Sequence, residues 1–204
     1  MCSSDLVNYE GAFGGAACSI TGLTCRYFDA YPGVDVSFTG TNTFTQYFSC
    51  GAVLYLNNST INTTGFFAAN AIIKGTSTVS YTPYTTYPYS YTNSFGIYNN
   101  SLATVVLNLK PGWPITVAMS GAGASIQNLT LNTSTMGTVG VGEVLLTNNL
   151  IVSGILSASS ASTIYRPFLR SSSFGTQWNI TVNSFTGDYV DFRDISILGA
   201  ASPI

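Results

Sequence analysis

Val144-Leu-Leu-Thr-Asn-Asn-Leu-Ile-Val152 sets two short apolar runs on either side of an Asn-Asn pair. Leu145-Leu146-Thr147 and Leu150-Ile151-Val152 are strand-like, and asparagine tolerates the left-handed backbone that tight turns demand. The stretch predicts a β-hairpin turning at Asn148-Asn149. Asn57-Asn58 and Asn99-Asn100 are two further Asn-Asn pairs flanked by apolar residues. The pairs lie 42 and 49 residues apart, spacings too unequal to read as an internal repeat.

Outward from this hairpin the same texture continues. Short runs of Val, Ile, Thr, Tyr and Phe are punctuated by Gly, Asn, Ser and Pro. They predict strands at 34–38, 43–56, 60–67, 71–74, 77–81, 102–109, 115–119, 125–131, 144–146, 150–155, 163–169, 177–185 and 189–198. No long segment carries a 3.6-residue apolar period, and twenty glycines argue against helices. Residues 1–33 differ: Gly11, Gly14, Gly15 and Gly22 make a small-residue stretch closing at the turn signal Tyr31-Pro32-Gly33. The expectation is an all-β protein, with an N-terminal arm over 1–33 and a β-sandwich or jelly-roll domain over 34–204.

Only 7% of the 204 residues are charged, against about 25% in an ordinary soluble protein. The net charge of −2 offers no basic field to attract nucleic acid. At 46% hydrophobic the chain is too apolar for a disordered segment. The charge-free apolar region from Val144 towards Tyr165 is interrupted by Asn148, Asn149 and the serines of 157–162, so no membrane span is expected. Residues 1–5 lack the apolar core of a secretory signal, so such a signal is expected to be absent from the chain as given. Ser and Thr supply 51 residues and Asn 16. These groups hydrate a surface without repelling neighbouring copies, so sugar or burial against other subunits must complete it.

Chemistry-bearing residues are sparse. There is no histidine, which removes Ser-His-Asp and Cys-His nucleophilic arrangements and the commonest metal ligand. Asp188, Asp191 and Asp194 stand three apart and would suit calcium as a loop, but Val190, Phe192, Ile195 and Ile197 read as a strand. No catalytic residue, metal or cofactor is expected. Arg166 and Arg170 are the two close cations, and a carboxylate such as Asp188 or Asp194 across a strand is their expected partner. Cys2, Cys18, Cys25 and Cys50 form an even set without histidine, which predicts two disulfides in an oxidising compartment with the pairing open. Tyr81, Tyr84, Tyr87, Tyr89 and Tyr91 crowd a segment broken by Pro83 and Pro88. An extended surface segment is expected there, a candidate subunit interface or sugar-stacking site.

Asn-x-Ser/Thr occurs at Asn57, Asn58, Asn62, Asn99, Asn128, Asn132 and Asn179. Each is a candidate for N-linked sugar. The runs Asn57-Asn-Ser-Thr-Ile-Asn-Thr-Thr64, Asn128-Leu-Thr-Leu-Asn-Thr-Ser134 and Asn179-Ile-Thr181, set on short strands, resemble glycosylated extracellular fibre subunits such as archaeal surface threads and donor-strand pili. The resemblance implies a β-sandwich subunit in a sugar-coated homopolymer at the cell surface. Strand-rich segments with almost no lysine at their edges fit such self-association. Residues 1–33 are the expected donor strand, with 189–204 as the competitor. A secreted carbohydrate-binding adhesin and a viral jelly-roll coat protein are the alternative expectations.

Overall fold

The computed structural model describes residues 7–9, 18–30, 36–50, 54–69, 73–74, 77–83, 93–98, 101–134, 140–158, 160 and 164–202. Among these residues there are strands and connections but no helix. The first nine strands are β1 (Val7–Tyr9), β2 (Cys18–Thr21), β3 (Thr24–Ala30), β4 (Val36–Cys50), β5 (Leu54–Thr64), β6 (Phe66–Ala69), β7 (Ile73–Lys74), β8 (Ser77–Thr82) and β9 (Ser94–Tyr98). They are followed by β10 (Ser101–Asn108), β11 (Ile115–Ser120), β12 (Ser125–Asn132), β13 (Gly140–Leu146), β14 (Leu150–Ser157), β15 (Tyr165–Ser171), β16 (Trp178–Thr186), β17 (Asp191–Arg193) and β18 (Ile195–Leu198).

Every pairing among them is parallel. One ladder runs from the middle of β4 through β5, β8, β10, β12, β14 and β16 to β18. A second runs through β1, β3, the end of β4, β6, β9, β11, β13, β15 and β17. Successive strands alternate between the two, so each pair of connections carries the chain once round and one strand spacing onward. A short third ladder, with Cys18, Val36, Leu54 and Ile73 in register, makes the first coils three-sided. The architecture is a parallel β-solenoid.

This overturns the expected β-sandwich or jelly roll, whose sheets are antiparallel. Parallel sheets usually require helical crossovers; here the opposite ladder serves as the crossover. Asn148-Asn149 is not a hairpin turn but the corner where β13 passes to β14 on the other ladder. Asn57-Asn58 lies within β5, between the register of the third ladder at Leu56 and that of the first at Ser59. Asn99-Asn100 lies outside the described residues. A structural repeat does exist. Val36 follows Cys18 by 18 residues, and Phe67 follows Phe48 by 19. Later coils lengthen, so that Ile180 follows Leu150 by 30. Residues 18–30 of the expected arm form β2 and β3, in register with β4.

Alternation along each strand sends every second side chain into the coil interior. Phe28, Phe48, Phe67 and Phe95 occupy one inward column, each with 0% exposure. Their rings stack with centroids 5.2, 5.1 and 4.8 Å apart and planes within 15° of parallel. Beside the other ladder Ile61, Val79, Val105, Leu129 and Leu156 form an aliphatic column. Full burial of such a side chain contributes about 1.5–3 kcal/mol. In-register stacking fixes the coil, because a one-residue slip would turn a whole column outward. Gly40, at φ +65°, supplies the left-handed backbone at the first corner of β4.

Candidate binding face

The outward side of the first ladder follows from the same alternation. Thr41, Thr60, Thr78 and Thr104 stand in register on four successive coils, with Asn128 on the fifth. Two residues along, Thr43, Asn62, Ser80, Val106 and Thr130 form a second column. Thr64 and Thr82 are paired in a third column, and Asn108 is paired with Asn132 beside them. Strands within a ladder lie about 4.8 Å apart, and alternate residues about 6.6 Å apart along a strand. Hydroxyl and carboxamide groups therefore repeat in two dimensions, with Val106 the one aliphatic side chain and no charged or aromatic group in these columns.

The grid is tied together laterally. The Asn132 amide nitrogen donates to Asn108 Oδ1 at 2.8 Å, and Asn108 Nδ2 donates to Ser80 Oγ and Thr82 Oγ1, each at 3.0 Å. Threonine is stiff at χ1, so its hydroxyl and methyl hold fixed directions on a strand. The inward neighbours of the grid are the buried aliphatic column, which backs it.

The candidate glycosylation residues divide on this frame. Asn62, Asn128 and Asn132 belong to the grid, half-buried between neighbours. Asn128 Oδ1 accepts the Ile155 N–H at 3.2 Å, filling the register shift between β12 and β14. The Asn132 nitrogen to which sugar would attach is the one donated to Asn108. Asn179 is half-buried on β16, with its backbone N–H donated to Asn149 Oδ1 at 2.9 Å. Of Asn57 and Asn58 the backbone alone is described, and Asn99 lies outside the described residues.

Tyr81 is not part of an exposed interface. It is 0% exposed, and its hydroxyl donates to the Gly65 carbonyl at that corner. Burial pushes its phenol well above the ordinary tyrosine range. Tyr84, Tyr87, Tyr89 and Tyr91 lie outside the described residues, in the connection from β8 to β9. Cys2 also lies outside them, and Cys18 and Cys50 are described only in backbone. Cys25 is buried, with its Sγ 3.3 Å from the Tyr27 carbonyl.

The arginine partners differ from the expectation. Arg166 pairs with Asp191, and Arg170 with Glu143 at 2.9 Å, rather than with Asp188 or Asp194. Parallel stacking explains the choice: β15 lies between β13, which carries Glu143, and β17, which carries Asp191. Asp194 Oδ2 instead accepts the Gly175 N–H at 3.3 Å. Among the described residues no three His, Cys, Asp or Glu side chains gather where they could hold a metal ion. No helix among them is long and apolar enough to cross a membrane.

Sequence reasoning missed the grid because its members look like ordinary polar strand residues. The signal was the recurrent Thr-x-Thr and Asn-x-Thr spacing, at Thr41-x-Thr43, Asn62-x-Thr64 and Asn128-x-Thr130. Two outward columns read along one strand produce that spacing, and it doubles as the glycosylation motif. Fold and face together define an elongated parallel β-solenoid with a polar, uncharged lateral grid. No family model, curated protein or solved structure matches the chain.

Proposed function

We propose that the chain is a non-catalytic structural subunit of an extracellular homopolymer, in which copies stack end to end along the solenoid axis. One observation carries this reading. Phe192 and Ile197 stand in register with Leu169 and Ile180, both of which are 0% exposed, yet Phe192 and Ile197 are only half-buried. The difference is the coil that would cover them: β17 and β18 have no strand on their outer side among the described residues. An open parallel edge over half-covered apolar columns suits the addition of another coil by main-chain hydrogen bonds. A head-to-tail contact of this kind propagates into a filament when its rotation does not close. The low charge leaves little repulsion between copies, and sugar at asparagines such as Asn58 and Asn99 would keep the sides of the rod apart. Stacking of whole coils replaces the donated strand expected from sequence.

Electron microscopy and light scattering of the full chain, purified from a secretory host, test this. Unbranched rods longer than one chain are expected, with length rising with protein concentration. A monodisperse single chain across the concentration range would overturn it.

A further inference from the structure

We propose that the threonine-asparagine grid on the first ladder is an ice-binding surface, on which the columns headed by Thr41 and Thr43 order water into register with a growing ice plane. Three observations carry it. First, the grid is periodic along both axes. The coil spacing of about 4.8 Å and the alternate-residue spacing of about 6.6 Å are set by backbone geometry. Ice likewise presents oxygen rows that repeat along two axes at spacings of a few ångströms. Second, the groups are right for water already arranged as a solid. Thr60, Thr78 and Thr104 each offer one hydroxyl and one methyl at a fixed height, and all three are half-buried in the same column. Hydroxyls anchor water, while methyls between them leave it to bond with itself. No Asp, Glu, Lys or Arg stands in these columns to impose a competing hydration shell.

Third, the grid is braced from coil to coil. Sheets held by side-chain ladders twist little, and the Asn132–Asn108–Ser80 chain of hydrogen bonds is such a ladder. A crystalline polysaccharide is the other periodic solid such a face could meet. Sugar recognition ordinarily stacks pyranose rings on aromatic side chains, and this grid contains none. Glycan on Asn62, Asn128 or Asn132 would cover the surface, so these three are read as grid members rather than sugar carriers.

The test uses the full chain made without glycosylation, assayed for ice shaping, for a gap between melting and freezing points, and for adsorption to a growing ice hemisphere. Wild type is expected to facet ice and to enter the hemisphere. Thr78→Tyr and Thr104→Lys, placed in the middle of one column, are expected to reduce both signals to those of a buffer control. Thr116→Tyr, on the outward side of the second ladder, is expected to leave them unchanged. Circular dichroism confirms that each variant keeps the wild-type spectrum. Wild-type protein that neither shapes ice nor adsorbs to it overturns the proposal, whatever the variants do. So does retention on microcrystalline cellulose or chitin without any effect on ice, or equal loss in Thr116→Tyr. These readouts need no filament, so the proposal stands or falls separately from end-to-end assembly.

Discussion

Asn148 lays its carboxamide against the backbone of Met119, one coil earlier: its Oδ1 accepts the Met119 N–H at 2.9 Å, and its Nδ2 donates to the Met119 carbonyl. The β11–β13 register ends at Val117 and Leu146, so the side chain takes the place of the next peptide in the ladder. Asn149 does the same for the coil that follows, accepting the Asn179 N–H at 2.9 Å. The pair stitches a corner to the coils on both sides. Asn148→Ala leaves a part-buried donor and acceptor unpaired, which costs about 1–3 kcal/mol. Denaturant unfolding should show that loss in the midpoint with little change in slope. An unchanged midpoint would show that water replaces the carboxamide at no cost.

Phe67 stands between Phe48 and Phe95 in the stacked column, with a ring on each side at 5.1 and 4.8 Å. Phe67→Ala opens a cavity in the middle of the stack and is expected to cost about 3–5 kcal/mol. Phe67→Leu should cost less, since it keeps the column filled while losing the ring contacts. Thermal melts of the two variants give the order. Equal losses would mean that ring stacking adds nothing beyond volume.

Tyr81 links stability to alkaline pH. Its phenol is held neutral in the fold, whereas in the unfolded chain it ionises from about pH 10. Above that pH the unfolded state binds fewer protons than the native state, so stability falls as pH rises, by up to about 1.4 kcal/mol per pH unit for this group. The contribution is complete below the ordinary tyrosine range and is lost upward from it. Tyr81→Phe removes the bond to Gly65, lowering stability at neutral pH by about 1 kcal/mol. It should also flatten the decline between about pH 10 and 12. Parallel alkaline profiles for the two proteins would count against this account.

Sugar should avoid the grid. When the chain is secreted from a glycosylating host, peptide mapping is expected to find glycan in the peptides carrying Asn58 and Asn99. Asn132 should be bare, because the nitrogen that would carry sugar belongs to a half-buried side chain and already donates to Asn108 Oδ1. Full occupancy at Asn132 would contradict the hydrogen-bonded ladder.

Strand positions were largely legible in the sequence, but strand direction was not. The expected strands at 102–109, 115–119 and 125–131 coincide closely with β10, β11 and β12. Residues 18–30, which the sequence assigns to an irregular arm, and 94–98, which fall outside the expected strands, are strands held by neighbouring coils. Parallel strands buried on both faces betray themselves by continuous apolar runs. Here one face is solvated, so β11 reads as the same in-out alternation that an antiparallel sheet would show. Corner chemistry was equally ambiguous. Asn148-Asn149 suits a hairpin turn and a solenoid corner alike, and the difference lies in Met119 and Asn179, about 30 residues away on either side. The grid was hidden for the same reason: Thr41, Thr60, Thr78 and Thr104 become a column only once the coils are in register.

The variable length of the coils has a geometric consequence. From Cys18 to Val36 the chain spends 18 residues on one circuit, and from Leu150 to Ile180 it spends 30, yet each circuit climbs by a single strand spacing. Extra residues swell the girth at a corner and leave the height untouched. The molecule therefore measures distance in whole turns, like a ruler whose marks are indifferent to how much chain lies between them.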